Sequence, residues 1–125
     1  MMATALLLGN RVNGCCHDLV IRFDYYGIME PQEIVLALTA LAQVNRLSAF
    51  RLLINAGQEG MSAGKIAEAL NMPASSLSFH LKELHHAGLL KQRQQGRFVI
   101  YTANYDRMKA LLSYLTENCC NGKPC

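Results

Sequence analysis

The chain has 125 residues, a length that suits one ordinary domain and excludes most large enzyme scaffolds. Apolar residues make up 51% and charged residues 17%, with 9 Gly and 3 Pro, so the composition is that of a folded globule and not of a disordered or collagen-like chain. The net charge of +3 is modest, but seven basic residues stand against three acidic ones between Ser62 and Lys109, so the basic surplus lies in the second half.

The N-terminal region gives no sign of a membrane or secretory segment. No stretch approaches the ~18 apolar residues that a membrane span needs, and no basic residue precedes the run Ala3–Leu8, as one would in a signal peptide. We therefore expect a cytoplasmic protein without a membrane partner.

Residues 1–29 show no clean hydrophobic period and are interpreted as an N-terminal extension. The pattern changes at Pro31, a residue suited to the first turn of a helix, and apolar residues at helical spacing predict a first helix over about 32–43. A second helix is predicted from about Asn45 to Ala56. The apolar residues expected to face inward in these two helices are Ile34, Leu38, Leu41, Leu47, Phe50, Leu53 and Ile54.

A short helix and a longer one follow, separated by a tight turn. Ser62 is a suitable N-cap for the short helix, and Asn71–Met72 has the composition of a turn. Pro73 lies where the longer helix can begin, and Gly88 lies where it should end. This spacing predicts a helix-turn-helix.

Two alternating segments, Leu89–Gln95 and Arg97–Thr102, predict a β-hairpin that bends at Gln95-Gly96. A last helix is predicted to start at Asn104, a plausible N-cap, and to end near Asn118. The expected fold class is mainly α with a two-stranded β wing, in other words a winged helix-turn-helix.

The second helix of the predicted helix-turn-helix has chemistry suited to DNA on its outward side. Leu77, Leu81 and Leu84 mark the inward side, because they repeat at helical spacing. Hydroxyls can bond to phosphates or base edges, a lysine neutralises phosphate charge, and an outward Phe can contact a thymine methyl group. The DNA-binding candidates on this helix are Ser75, Ser76, Ser78, Phe79, His80 and Lys82. For His80 a hydrogen-bonding role at the edge of the core is an equal alternative.

The hairpin adds Lys91, Arg93 and Arg97, with no acidic residue between them. Such a basic wing can reach a DNA backbone or minor groove, whereas a merely solvated hairpin is the alternative interpretation. The order and spacing of helix and wing together favour double-stranded DNA as the partner.

Three segments of the predicted helix and hairpin form a combined pattern: Ser75 to Leu84 (SSLSFHLKEL), Ala87 to Leu90 (AGLL), and Gln95-Gly96-Arg97 followed by Tyr101. This pattern resembles the recognition helix and wing of the ArsR/SmtB family. The resemblance covers about Glu30–Asn118. The resemblance implies a dimeric winged-helix repressor that leaves an operator when it binds a metal or metalloid. It also implies a homodimer formed through the helices near 32–43 and 104–117. The predicted DNA-binding and dimerisation domain is therefore 30–118.

The five cysteines do not suit a disulfide framework in a reducing compartment, because they are odd in number and lie near the two ends of the chain. Cys119, Cys120 and Cys125 resemble the C-terminal cysteine triad of a subset of arsenite-responsive repressors. Trivalent arsenic or antimony suits three soft thiolates, whereas structural zinc prefers four ligands. Residues 119–125 are accordingly predicted to be an inducer-binding tail for As(III) or Sb(III).

Other inducer sites of the family find no match here. The positions of the usual arsenic site at the start of the first helix of the helix-turn-helix are occupied by Ser62 and Gly64, and the last helix has no His for a zinc site. Cys15 and Cys16 are a secondary candidate for soft-metal binding, with incidental thiols as the alternative. Another soft metal or thiol oxidation at Cys119, Cys120 and Cys125 stays open as the regulatory signal.

Taken together, these patterns predict a repressor of an arsenic-resistance operon, with no catalytic residue and no catalytic cofactor. A thiol enzyme resembling arsenate reductase is one alternative, but no phosphate-binding Gly-rich loop or positioned base accompanies the cysteines. A metal-buffering protein is another, and it would bind As(III) without preferring an operator.

Overall fold

The computed structural model describes residues 29–124, which contain five α-helices and a three-stranded antiparallel sheet. The elements in chain order are α1 (Pro31–Leu41), α2 (Val44–Ala56), β1 (Met61–Ser62), α3 (Ala63–Leu70), α4 (Ala74–His86), β2 (Leu90–Gln95), β3 (Phe98–Ala103) and α5 (Tyr105–Thr116). Short 3-10 segments lie at Gly57–Glu59 and Cys119–Gly122. These residues separate into two compact units, of which one is Pro31–Tyr105 and the other contains the remainder of α5.

The core of the unit Pro31–Tyr105 is built from aliphatic side chains that several elements contribute. The most completely buried of these are Leu53, Ile66, Leu77, Leu81, Leu84 and Leu89. Burial of such side chains is the main favourable term in folding, at about 1.5–3 kcal/mol for each fully buried one. The core therefore fixes α2, α3 and α4 together and sets the frame on which α4 presents its outer side.

The predicted helix-turn-helix is confirmed, and local chemistry explains its boundaries. The Ser62 hydroxyl accepts a hydrogen bond from the Lys65 backbone N–H and caps α3. Asn71 ends α3 in the left-handed region with φ 53°, and Gly88, with φ 82°, follows α4. The turn and stop signals predicted at Asn71 and Gly88 thus have positive φ, which Asn tolerates and which Gly adopts freely because it lacks a Cβ atom.

The predicted wing is confirmed as β2 and β3, which pair from Leu90 with Ala103 to Gln95 with Phe98. Gly96, with φ 64°, supplies the positive φ that the first position of a type II′ hairpin turn requires. The expected two-stranded sheet has a third strand, because β1 pairs with β3 at its other edge. Strand β1 is only two residues long, and alternation cannot reveal so short a strand.

The apolar faces of α1 and α2 differ from the sequence prediction. In α1 the small residues Ala37 and Ala40 are buried beside Ile34, whereas Leu38 is 40% exposed. In α2 Phe50 and Leu53 are buried as expected, but Leu47 is 44% exposed. The small side chains allow α1 to approach its neighbouring helices closely. Its larger side chains consequently lie on the outward side of the helix.

Helix α5 ends at Thr116, and an irregular segment follows it. Ala110, Leu111 and Ser113 are its buried residues. Asn118, Cys120 and Asn121 all have φ near +60°. No single helix among residues 29–124 is long and apolar enough to cross a membrane; α1 and the stretch Val44–Glu59 pass that test only as a pair bent by 101°.

Candidate DNA-binding interface and cysteine cluster

Helix α4 presents two chemically distinct sides. Leu77, Leu81 and Leu84 are almost completely buried, as the helical spacing predicts. The outward candidates Ser75, Ser76, Ser78, Phe79 and Lys82 are all exposed. Hydroxyls near the helix N-terminus, an aromatic ring and an ammonium group are thus available together on the outward side of one helix.

Phe79 and His80 form an aromatic pair at the centre of this surface. Phe79 is 56% exposed, and its ring meets the His80 ring edge-on at a centroid distance of 5.9 Å. The His80 ring is half-buried, and its Nδ1 atom is buried without a hydrogen-bond partner among the described residues. His80 therefore sits at the edge of the core, and its role as a phosphate contact stays a prediction.

The wing residues Lys91, Arg93 and Arg97 are exposed, as expected for DNA contacts. Arg93 is also held within the chain: its guanidinium donates to the carbonyl oxygens of Gln58 at 3.3 Å and Glu59 at 2.9 Å. Sequence reasoning missed this tether, since the two carbonyls lie more than thirty residues earlier. The tether fixes a positive charge on β2 beside the turn that leads into β1.

Directly after α5, the tail brings two sulfur atoms together. The Sγ atoms of Cys119 and Cys120 are 3.6 Å apart; Cys119 is half-buried and Cys120 is exposed. This separation is far above the ~2.05 Å of a disulfide, so the two sulfurs are not bonded to each other. The separation is close to the value of about 3.8 Å expected for two thiolates that each lie about 2.3 Å from one tetrahedral ion.

Cys120 is disulfide-bonded in the structure, which corrects the expectation that the cysteines form no disulfide. A soft ion binds thiolates, so a site at this cysteine requires that the bond be reduced. Cys125, Cys15 and Cys16, the remaining predicted sulfur ligands, lie outside the described residues. Within residues 29–124 no group of three His, Cys, Asp or Glu side chains is placed to hold a metal ion.

An exposed polar face on the second helix of a helix-turn-helix, followed by a basic hairpin, defines a winged helix-turn-helix DNA-binding protein. Comparison with known proteins agrees: the helix-turn-helix domain family matches residues 41–93. The transcriptional activator HlyU of Vibrio cholerae is 30% identical over 86 residues, which cover 69% of this chain and 77% of HlyU. The chain belongs to the winged helix-turn-helix transcriptional regulators, and the relatives it matches are regulators and not enzymes.

Solved structures share the fold. The structure of HlyU from Vibrio cholerae superposes with a TM-score of 0.58 at 30% identity, covering 74% of this chain and 99% of that one. An ArsR-like transcriptional regulator from Rhodococcus sp. RHA1 gives a TM-score of 0.61 at 24% identity, covering 67% and 76%. A homodimeric winged helix-turn-helix DNA-binding domain from Mycobacterium bovis gives 0.55 at 24% identity, covering 74% and 85%. The last two support the fold alone.

Proposed function

We propose that this protein is a dimeric repressor of an arsenic-resistance operon, and that arsenite or antimonite releases it from its operator by binding Cys119, Cys120 and Cys125. The observation that carries the proposal is the 3.6 Å spacing of the Cys119 and Cys120 sulfurs immediately after α5. Three thiolates match the valence of a trivalent metalloid and its preference for soft ligands. Cys125 would be the third ligand, three residues past the Asn121-Gly122 pair, which can bend the chain.

The DNA-binding half of the proposal places α4 in the major groove. Its exposed hydroxyls would contact phosphates and base edges, Phe79 would contact a thymine methyl group, and Lys82 would neutralise a phosphate. Lys91, Arg93 and Arg97 would supply salt-dependent affinity from the wing. In a two-fold dimer the two copies of α4 would read half-sites about one helical turn apart.

The dimer proposal is supported by apolar side chains that the single chain leaves exposed. On α1 these are Val35, Leu36 and Leu38, and on α5 they are Leu112 and Leu115. Large apolar side chains exposed on a helix are typical of protein interfaces, and α1 and α5 each carry them. The M. bovis domain of the same fold is described as homodimeric, which agrees with this proposal for our chain.

Linkage would convert metalloid binding into release from DNA. Binding at the tail changes the C-terminal end of α5, one of the two helices proposed for the dimer, and thereby the spacing of the two copies of α4. A coupling of about 1–3 kcal/mol, or about 5- to 150-fold in DNA affinity, would suffice for derepression. The negative sign of regulation comes from the family resemblance.

The decisive experiment is fluorescence anisotropy of reduced protein on a duplex from its own promoter, with and without arsenite. Release by arsenite, together with derepression of a reporter gene in cells, is the expected result. Protein that remains bound to its promoter at saturating arsenite would overturn the proposal. A reporter whose expression falls when the gene is deleted would indicate activation, as the name of HlyU does for that protein.

Thiol oxidation is the second candidate signal, and the disulfide-bonded state of Cys120 favours it. A solved structure of the relative HlyU is described as the reduced protein, so a redox state is distinguished in that relative. The same anisotropy assay separates the two signals: oxidation with diamide in the absence of arsenite tests the redox signal, and arsenite in the presence of a non-thiol reductant tests the metalloid signal.

A further inference from the structure

A cleft of about 420 Å³ lies between the wing and the start of α3. Its walls include Glu59, Ser62, Lys65, Arg93, Phe98 and Ile100. The strand register explains why these groups meet: Ile100 pairs with Ser62 on one side and with Arg93 on the other. Phe98 lies two residues from Ile100 along β3, so it shares their face of the sheet.

The two cationic side chains of the cleft, Lys65 and Arg93, have N–H groups that are available to bind a ligand. The Lys65 ammonium forms no hydrogen bond or ion pair with any residue from 29 to 124. The hydrogen bond that Lys65 does make comes from its backbone N–H, which donates to the Ser62 hydroxyl. The Arg93 guanidinium uses three of its five N–H groups, on Gln58, Glu59 and Gln95. The remaining N–H groups are available to a ligand, and the tether holds the charge in place before the ligand arrives.

The same cleft also has an apolar wall. The Phe98 ring is 59% exposed and lies at the end of the hairpin, where Phe98 pairs with Gln95 beside the turn. Such an exposed ring beside two cations suits a strand of alternating apolar and anionic groups, which is the pattern of deoxyribose and phosphate in a DNA backbone. Glu59, the acidic residue of the cleft, opposes an anion and weakens the site.

We propose that this cleft holds the sugar-phosphate backbone of DNA, with Lys65 and Arg93 on a phosphate and Phe98 against the adjoining sugar. Lys65, Phe98 and Glu59 thereby join α4 and the wing tip as determinants of DNA affinity. The proposal rests on the DNA-binding part of the proposed function and is independent of any response to arsenite. Because backbone contacts carry no base information, the cleft contributes equally to cognate and non-cognate DNA.

The first test is the salt dependence of binding to a labelled non-cognate duplex. Lys65→Ala should lower the magnitude of the slope of log affinity against log salt by about 0.9 for each bound subunit, or about 1.8 for the dimer, and so lower affinity about 60-fold at 0.1 M salt. Phe98→Ala should lower affinity without changing the slope, because the ring carries no charge. Arg51→Ala is the matched control: Arg51 is an exposed cation on α2, outside the cleft, and its removal should change neither value appreciably.

Removal of the opposing charge gives a prediction of opposite sign. Glu59→Gln should raise DNA affinity, whereas Glu68→Gln, which removes an exposed acid of α3 outside the cleft, should raise it much less. A third arm scans single neutral methylphosphonates along the promoter duplex. With the wild-type protein one position in each half-site should reduce affinity, and with Lys65→Ala the same position should cease to matter.

Circular dichroism separates these effects from misfolding, since the Lys65, Phe98 and Glu59 side chains are exposed and the variants should melt like the wild type. Equal slopes for Lys65→Ala and Arg51→Ala would overturn the proposal. So would a methylphosphonate profile that Lys65→Ala leaves unchanged. Protein that binds DNA as predicted but ignores arsenite would leave the cleft assignment intact and remove only the metalloid proposal.

Discussion

The Tyr105 hydroxyl, at the start of α5, donates a hydrogen bond to the carbonyl oxygen of Ile54 in α2 at 3.0 Å. The adjoining carbonyl oxygen of Leu53 lies 3.3 Å from the same hydroxyl. These carbonyls belong to the last turn of α2, where the helix itself leaves acceptors without partners. The side chain of Tyr105 therefore completes the C-terminal end of another helix.

Replacement of Tyr105 by Phe should lower the free energy of unfolding by about 0.5–1.5 kcal/mol, since it removes one part-buried donor and keeps the ring. Tyr114→Phe is the control, because the Tyr114 hydroxyl makes no hydrogen bond with a residue between 29 and 124. Urea denaturation monitored by circular dichroism measures both. Equal midpoints for the two variants would show that the Tyr105 hydroxyl contributes nothing to stability.

Gly60 is predicted to tolerate replacement much less well than Gly57, Gly64, Gly96 or Gly122. Its φ is 69°, and a Cβ atom there would collide with the Tyr101 carbonyl oxygen and the Thr102 side chain. Gly60→Ala should therefore cost about 2–4 kcal/mol, from positive φ and overpacking together. Gly64→Ala, in open space on α3, should instead stabilise by up to about 1 kcal/mol. Thermal melts of both variants test the contrast; a Gly60→Ala protein as stable as the wild type would refute it.

The features most accurately predicted from the sequence are helix ends and turns that depend on a single residue type. Ser62 marks the start of α3, Asn71 its end, Gly88 the end of α4 and Gly96 the hairpin turn. Ser62 supplies a capping hydroxyl, and the other three residues supply the positive φ that these positions require. Helical spacing likewise identified the buried side of α4, because Leu77, Leu81 and Leu84 have no competing apolar stripe.

Features that depend on distant partners could not be predicted. Strand β1 exists because Gly60 permits the chain to approach β3 closely, and Arg93 binds the carbonyls of Gln58 and Glu59 only after this approach. Periodicity also could not decide which apolar residues of α1 and α2 face inward, since both helices have apolar residues on more than one side. The same ambiguity placed Leu38 and Leu47 in the core wrongly.

Substitutions at Phe79 and Leu81, two residues apart on α4, should have different effects on stability and on DNA binding. Phe79→Ala removes an exposed ring, so it should lower the free energy of unfolding by less than about 1 kcal/mol. It should nevertheless weaken promoter binding about tenfold, in the range of about 1–3 kcal/mol for a base contact. Leu81→Ala, at a buried position, should cost about 2–5 kcal/mol of stability. Denaturation and anisotropy on both variants are the measurements, and full promoter affinity in Phe79→Ala would exclude Phe79 as a contact.

Charged substitutions on the exposed apolar faces should weaken the proposed dimer. Val35→Asp on α1 or Leu115→Asp on α5 should raise the dissociation constant of the dimer at least about 30-fold, because burying an unpaired carboxylate costs more than about 2 kcal/mol. Gln32→Asp introduces the same charge at an exposed polar position of α1 and is the control. Sedimentation equilibrium gives the dissociation constants. If all three variants match the wild type, neither face lies in the dimer interface.

Single substitutions in the cysteine tail should abolish the response to arsenite, because the proposed site needs three thiolates to bind the metalloid and two are insufficient. Cys119→Ser, Cys120→Ser and Cys125→Ser should each bind the promoter within about twofold of the wild type, since the tail does not touch DNA in the proposed mechanism. Each should lose the arsenite-induced release, which should be about 5- to 150-fold in the reduced wild type. A Cys15→Ser, Cys16→Ser double variant keeps the triad and should respond normally. A Cys125→Ser protein that dissociates at the wild-type arsenite concentration would remove Cys125 from the site, because a pair of vicinal sulfurs would then be enough.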